Sequence, residues 1–329
     1  MSDKQVLLEV TSDHLNTGLR GVPVGTCRTS FVTPTEGVHY CGYPIAELAA
    51  FAPEDIIYLL FNKELPTPEQ SKQIRSELAA RATIPGDVES VLKTLPRDGH
   101  PMDWLSVGIH TLGMLETTND WRADAMNLIA RMPRLMGLIF RIRDGRAEEI
   151  PADDPQASLV DRFVNALDLK GVDKEKMTRV ISTYLVLHMD HGGGNLSTFS
   201  GKAIASGHAT LYSSMAGAMN ALSGPLHGRA NQSCLEFVLR VGTSDPAEVE
   251  RFVRAELDAK RPVFGFGHAV LRTEDPRATV QFALGEEICP EDENFKIITA
   301  LREVAPRVLG ENPKISNPNA NVDIASGAL

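Results

Sequence analysis

The sequence predicts an all-α protein that carries a short N-terminal β-hairpin region. Three observations lead there. Helical periodicity recurs from Pro44 onward, short β-branched and aromatic runs punctuated by Gly, Pro and Thr set the first forty residues apart, and no regular strand–helix alternation runs along the chain. A parallel dinucleotide-binding sheet needs that alternation, so none is expected.

The elements follow in order. Val22–Val32 and Val38–Cys41 are short, β-branched or aromatic, and punctuated by Gly, Pro and Thr, which suits one or two strands or a hairpin. Thr67, Pro68 and Gln70 form a capping box at a helix start. Trp121 to Arg143 has a long helical pattern that Pro133 should kink or split. Met177, Val180, Ile181, Tyr184 and Leu187 make an apolar stripe that ends near His188. From His208 to Leu222, an apolar stripe of Leu211, Met215, Met219 and Leu222 is set among Ala, Ser and Gly. Small residues admit a close neighbour, which fits either a buried central helix or a subunit-interface helix. Ser223–Gly228 is the best boundary candidate, and the amphipathic pattern restarts beyond it. Asp245-Pro246-Ala-Glu248 repeats the capping design ahead of Val249, Phe252, Val253 and Leu257.

Composition limits the function. The 329 residues suggest two domains at about 150 residues each. Acidic residues exceed basic ones by 43 to 33, for a net charge of -10, and no long Lys/Arg block stands out. A generic nucleic-acid binder is therefore not expected, although a locally basic pocket is compatible with the sum. Cys27, Cys41, Cys234 and Cys289 match no CxxC spacing, which fits a reducing compartment. The N-terminus carries charge where a signal peptide needs an apolar run, and no apolar run approaches the roughly 18 residues of a membrane span. A cytoplasmic protein is expected, with no membrane partner.

Four contexts could carry chemistry. In His188-Met-Asp190-His191-Gly-Gly-Gly-Asn195, two histidines three apart share a helix face and could ligate a metal, but no third ligand stands at a familiar spacing. In Gly224-Pro-Leu-His227-Gly-Arg-Ala-Asn231 a histidine is held on a turn; alone, it is equally a satisfied turn residue. Val263-Phe-Gly265-Phe-Gly267-His268, with Arg272 and Arg277 close behind, gathers backbone amides, a histidine and two arginines suited to an anion. In isolation a solvated basic loop reads as well. Asn321-Val-Asp323 adds one carboxylate in a loop.

Taken as a set, the order and wording of these motifs resemble the citrate synthase family. The match runs through Tyr40-Cys-Gly-Tyr-Pro-Ile45, His100-Pro-Met102, the His188–Asn195 and Gly224–Asn231 runs, Gly265-Phe-Gly-His-Ala-Val270, Asp275-Pro-Arg277 and Asn321-Val-Asp323. The wording of the His188–Asn195 run is closest to the branch that includes the mitochondrial-type enzymes. The resemblance implies a two-domain helical fold, with a large domain over residues 1–227 and a small domain over residues 228–329. It implies a homodimer that condenses acetyl-CoA with oxaloacetate and hydrolyses citryl-CoA, with no metal or redox cofactor.

The roles it implies are specific. Asp323 is the base that takes a proton from the acetyl methyl. His227 donates to the thioester oxygen and His268 to the ketone of oxaloacetate. His191, Asn195 and Arg277 bind oxaloacetate. For CoA, Val263, Phe264, Gly265 and Phe266 receive the adenine, while Arg272 and Arg20 contact phosphates. The resemblance also implies further large-domain helices bearing two carboxylate-binding arginines, to which no residue here is assigned. The chain is thus expected to lack the C-terminal part of that domain and to turn over poorly, since each lost hydrogen bond to a charged group costs about 1.5–3 kcal/mol. A normal rate in a coupled free-thiol assay would overturn that expectation. The alternatives are a 2-methylcitrate synthase that uses propionyl-CoA, and a non-catalytic dimeric scaffold.

Overall fold

A computed structural model of the chain describes residues 6–16, 22–23, 25–118, 120–146, 154, 156–224, 227–268 and 270–329. Strands β1 (Ser30–Thr33), β2 (Gly37–Tyr40) and β3 (Tyr43–Pro44) form one antiparallel sheet in that order. Its register pairs Ser30 with Tyr40 and Thr33 with Gly37. The strands are therefore shorter than the runs that announce them.

Fifteen α-helices make up most of the remaining described residues. The first seven are α1 (Ile45–Leu48), α2 (Pro53–Asn62), α3 (Pro68–Arg81), α4 (Gly86–Leu92), α5 (Pro101–Glu116), α6 (Trp121–Arg143) and α7 (Leu159–Leu167). Next come α8 (Lys174–His188), α9 (Leu196–Ser206), α10 (Leu211–Leu222), α11 (Ala230–Val241) and α12 (Pro246–Asp258). The last are α13 (Pro276–Ile288), α14 (Glu293–Gly310) and α15 (Val322–Ser326).

Local chemistry explains most of the boundaries. Thr67 accepts from the Gln70 amide at 3.3 Å while the Gln70 side chain accepts from the Thr67 amide at 2.8 Å, which closes the capping box. Asp245 is capped differently. Its carboxylate accepts from Ala247 and Glu248, but its own N–H goes to Thr243 Oγ1 at 3.2 Å, not to Glu248. Pro133 does not split its helix: α6 runs through it. The proline forfeits one backbone bond, and buried Leu128, Leu135, Leu138, Ile139 and Ile142 on both sides offset that loss.

Three clusters of buried apolar side chains are drawn from residues 38–216. One gathers α4, α5, α6 and α10 around Trp104, a second joins the sheet to α2 and α8, and a third links α2, α3 and α6. A fourth is built wholly from residues 234–325, on α11 to α15. Helix α10 lies in the first of these. Tyr212 and Ala216 are fully buried, and Ser106 of α5 donates to the Ala216 carbonyl. No described helix is long and apolar enough to cross a membrane.

Candidate active site

The site lies where the loop after α8, the turn after α10, the segment before α13 and the start of α15 meet. The α8 loop is clamped to the sheet. Asp190 accepts from Thr29 Oγ1 at 2.5 Å and from Ser30 Oγ at 2.6 Å, and its amide donates to the Tyr40 hydroxyl. Ser30 Oγ in turn accepts from the Gly192 amide at 2.7 Å. Helix α8 stops at His188, so His188 and His191 do not share a helix face, contrary to the spacing argument. His188 donates from Nδ1 to the Tyr184 carbonyl and stacks on the Tyr184 ring. Among the described residues no group of three or more His, Cys, Asp or Glu could hold a metal ion.

His191 presents a buried Nε2 with no hydrogen-bond partner, 5.6 Å in ring-centroid distance from His268. Burial pushes its pKa down to about 4, helped by the charges of Arg277 and His268. The ring is therefore neutral at physiological pH. His268 accepts two backbone hydrogen bonds at Nδ1, from Val270 at 3.0 Å and Leu271 at 2.9 Å. That occupancy assigns its proton to Nε2, which becomes the outward donor. Burial lowers its pKa as well.

His227 is fixed by the opposite nitrogen. Its Nε2 accepts from the Ser197 amide at 3.2 Å and lies 3.0 Å from Ser197 Oγ, so Nδ1 carries the proton. Ser197 stands in the first turn of α9, where backbone N–H groups lack intrahelical partners. Asn195 caps that turn. Its side-chain oxygen accepts from Thr198 N and Ser197 Oγ, both at 2.9 Å, and its amide donates to the Gly192 carbonyl. Asn195 is thus engaged in holding Ser197, and through it His227.

Arg277 is buried and grips Asp275 through two bonds, Nε to Oδ1 at 3.0 Å and Nη2 to Oδ2 at 2.7 Å. Burial alone would raise the Asp275 carboxyl, but the Arg277 guanidinium outweighs it and holds the carboxyl low. Asp323 differs. It sits on five-residue α15, and burial raises its pKa, with Arg277 opposing and Asp275 adding to the rise. Asn321 ties the start of α15 down: its N–H donates to the Gly265 carbonyl and its side-chain amide to the Gly267 carbonyl, both at 2.9 Å. Gly265 has φ +83°, and a Cβ there would lie 2.6 Å from Ile324 Cβ. Only glycine allows the two segments to meet this closely.

His191, His268, Arg277 and Asp323 are thereby gathered, by ring contact or by mutual electrostatic influence. Among the described residues, no hydrogen bond or ring contact joins His227 to them. Val263, Phe264 and Phe266 pack their side chains on the α11–α15 core, which leaves backbone as their contribution. Arg272 is exposed, and its guanidinium donates to the Leu271 carbonyl. Arg20 lies outside the described residues. Sequence reasoning passed over Asp275, Ser197 and the Thr29–Ser30 pair. Asp275 and Asp190 stood inside quoted motifs, but nothing local signalled that the first would pair with Arg277 or the second with β1.

The model of the citrate synthase C-terminal domain matches residues 18–329. The chain belongs to the citrate synthase family. It is an acyltransferase. It is 32% identical to the peroxisomal citrate synthase of Saccharomyces cerevisiae, over 99% of this chain and 76% of that protein. It is 33% identical to the mitochondrial 2-methylcitrate synthase of Yarrowia lipolytica, over 98% of this chain and 76% of that protein. The citrate synthase structure from Thermotoga maritima superposes with a TM-score of 0.82 at 28% identity, covering 94% of this chain and 82% of that one. The Thermoplasma acidophilum citrate synthase, solved as a ternary complex with carboxymethyl coenzyme A and oxaloacetate, gives 0.82 at 26% identity, covering 95% and 83%.

Proposed function

We propose that this member of the citrate synthase family condenses acetyl-CoA with oxaloacetate and hydrolyses citryl-CoA to citrate and CoA. The observation that carries the reading is a set of three groups: two histidines, each with one nitrogen accepting backbone N–H, and a carboxyl raised by burial. Asp323, a stronger base for its burial, takes a proton from the acetyl methyl. His227 Nδ1–H donates to the thioester oxygen as negative charge develops there. The enol carbon attacks the ketone of oxaloacetate, and His268 Nε2–H supplies the proton to the new alkoxide. Water then cleaves the thioester to give citrate and free CoA. His191 and Arg277 hold the oxaloacetate carboxylates, and Asn195 keeps Ser197 under His227. Backbone of Val263–Phe266 takes the adenine, and Arg272 and Arg20 take phosphates.

The same reading makes the enzyme a cytoplasmic homodimer with no redox or metal cofactor. A large domain over residues 1–227 and a small one over 228–329 close on oxaloacetate, which keeps water from the thioester until condensation. The separate apolar core of residues 234–325 supports that division. Propionyl-CoA is the second reading, favoured by the likeness to the Yarrowia lipolytica 2-methylcitrate synthase.

Free-thiol release is measured with acetyl-CoA and with propionyl-CoA, alongside calorimetry with oxaloacetate. The assay uses near-stoichiometric enzyme. Oxaloacetate binding with faster CoA release from acetyl-CoA supports the proposal. Faster release from propionyl-CoA replaces it with the second reading, and binding without release leaves the non-catalytic scaffold.

A further inference from the structure

Asn231 closes the turn that carries His227, and the proposed reaction gives it no role. Its side chain reaches two ways. Its amide group donates to the Tyr184 hydroxyl at 3.2 Å, and its side-chain oxygen accepts at 3.1 Å from Ser326 Oγ, which shares its proton with the Val322 carbonyl at 2.9 Å. Ser326 is the last residue of α15, the helix of Asp323. Its neighbour Gly327 lies so close that a Cβ there would be 2.7 Å from the backbone carbonyl oxygen of Asn231. The far end of α15 is therefore docked on Asn231 by side chain and backbone, as its near end is docked on Gly265 and Gly267 by Asn321.

Tyr184 belongs to α8, two residues before the buried Val186–Leu187 pair of the sheet-side core, and the helix ends at His188. His188 donates to the Tyr184 carbonyl at 2.7 Å, and the two rings stack at 4.1 Å. The loop that follows delivers His191. One amide side chain thus spans two separately packed cores. It touches the helix of the base on one side and the helix leading to the oxaloacetate-binding histidine on the other. Tyr184, Asn231 and Ser326 also line a single hollow of about 690 Å³. The bonds join neutral groups, so the link holds position through geometry more than it adds net stability.

We propose that Tyr184, Asn231 and Ser326 form a positioning link that sets Asp323 against the acyl methyl and couples that placement to α8. The inference rests on the proposed function above. The three side chains touch neither substrate; they act through α15.

The test uses Tyr184→Phe, Asn231→Ala, Ser326→Ala and the double variant Tyr184→Phe/Asn231→Ala in the full chain. Tyr184→Phe keeps the ring on His188 and removes the hydroxyl alone. Each single variant is expected to lower kcat about tenfold, the worth of one hydrogen bond lost from a positioning network. KM for acetyl-CoA and the calorimetric Kd for oxaloacetate stay within about twofold, the spread of uncoupled surface changes. The double variant is expected to match either single one, because each breaks the same link. Ser326→Thr, which keeps the hydroxyl, restores kcat. Should Asn231→Ala fail to fold by circular dichroism, Tyr184→Phe/Ser326→Ala closes the same cycle.

Losses that multiply in the double variant, or a loss of oxaloacetate affinity with kcat unchanged, overturn the inference and leave the proposed function standing. A parent chain that neither binds oxaloacetate nor releases CoA overturns both, and is recognised before any variant is made.

Discussion

Replacing Asp275 tests whether the buried ion pair, and not packing alone, holds Arg277 in the site. Asp275 and Arg277 are 1% and 5% exposed, so neither charge is relieved by water. The carboxylate makes two charge-assisted bonds to the guanidinium, at 3.0 and 2.7 Å, and a third to the Arg277 amide at the start of α13. Asp275→Asn keeps an oxygen for the helix cap but leaves the guanidinium as an uncompensated buried charge. That costs about 3–5 kcal/mol. Asp275→Ala loses the cap too, for about 1 kcal/mol more. A folded protein holds a net stability of about 5–15 kcal/mol, so both variants should be markedly weakened. Urea unfolding at neutral pH, followed by circular dichroism, reads the difference. Oxaloacetate should restore part of the loss in Asp275→Asn, because its carboxylate takes the place of the missing partner. The pair's contribution is present above the ordinary Asp value of 3.8 and is lost as pH falls through the depressed value in the folded state. Variants that unfold within about 1 kcal/mol of the parent, the worth of a surface pair, would refute the reasoning.

Other outcomes follow from the same geometry. Asp323 is raised by burial, so its ionised form opposes folding at neutral pH. Asp323→Asn should therefore raise the urea midpoint while abolishing CoA release and sparing oxaloacetate binding; normal turnover would show that Asp323 is not the base. His188 and His191 have pKa values pushed down to about 4 from 6.5, chiefly by burial, so the unfolded chain binds more protons between those values. Stability should fall as pH drops from 6.5 toward 4, and His188→Gln should flatten that fall; a flat parent curve would refute the burial of these rings. Gly265→Ala forces a Cβ to 2.6 Å from Ile324 and strains a φ of +83°. Overpacking of this kind costs about 1–3 kcal/mol, and Ile324 moves beside Asp323, so on the proposed mechanism CoA release should fall more than oxaloacetate affinity.

The helical character, the capping box at Thr67 and the start of α12 at Asp245 are legible because caps and stripes act within about four residues. The same locality explains the misreadings. Pro133 reads as a break since its cost is local, while the core on both sides of it is not visible in a window of sequence. His191 reads as helical because a spacing of three fits a helix, yet bonds from Thr29 and Ser30 hold Asp190, and with it this loop, on the sheet.

The sequence by itself determined the set of chemical groups: three histidines, an arginine and a carboxylate, in motifs distinctive enough to imply the family. Tertiary structure alone decided what each group can do. The His227 proton is assigned by an amide thirty residues away at Ser197, and the helix of Asp323 is docked through Ser326 on Asn231, ninety-five residues earlier in the chain. A histidine's tautomer and a carboxyl's pKa depend on which donors and charges lie within a few ångströms. That neighbourhood exists only once distant segments have been packed together.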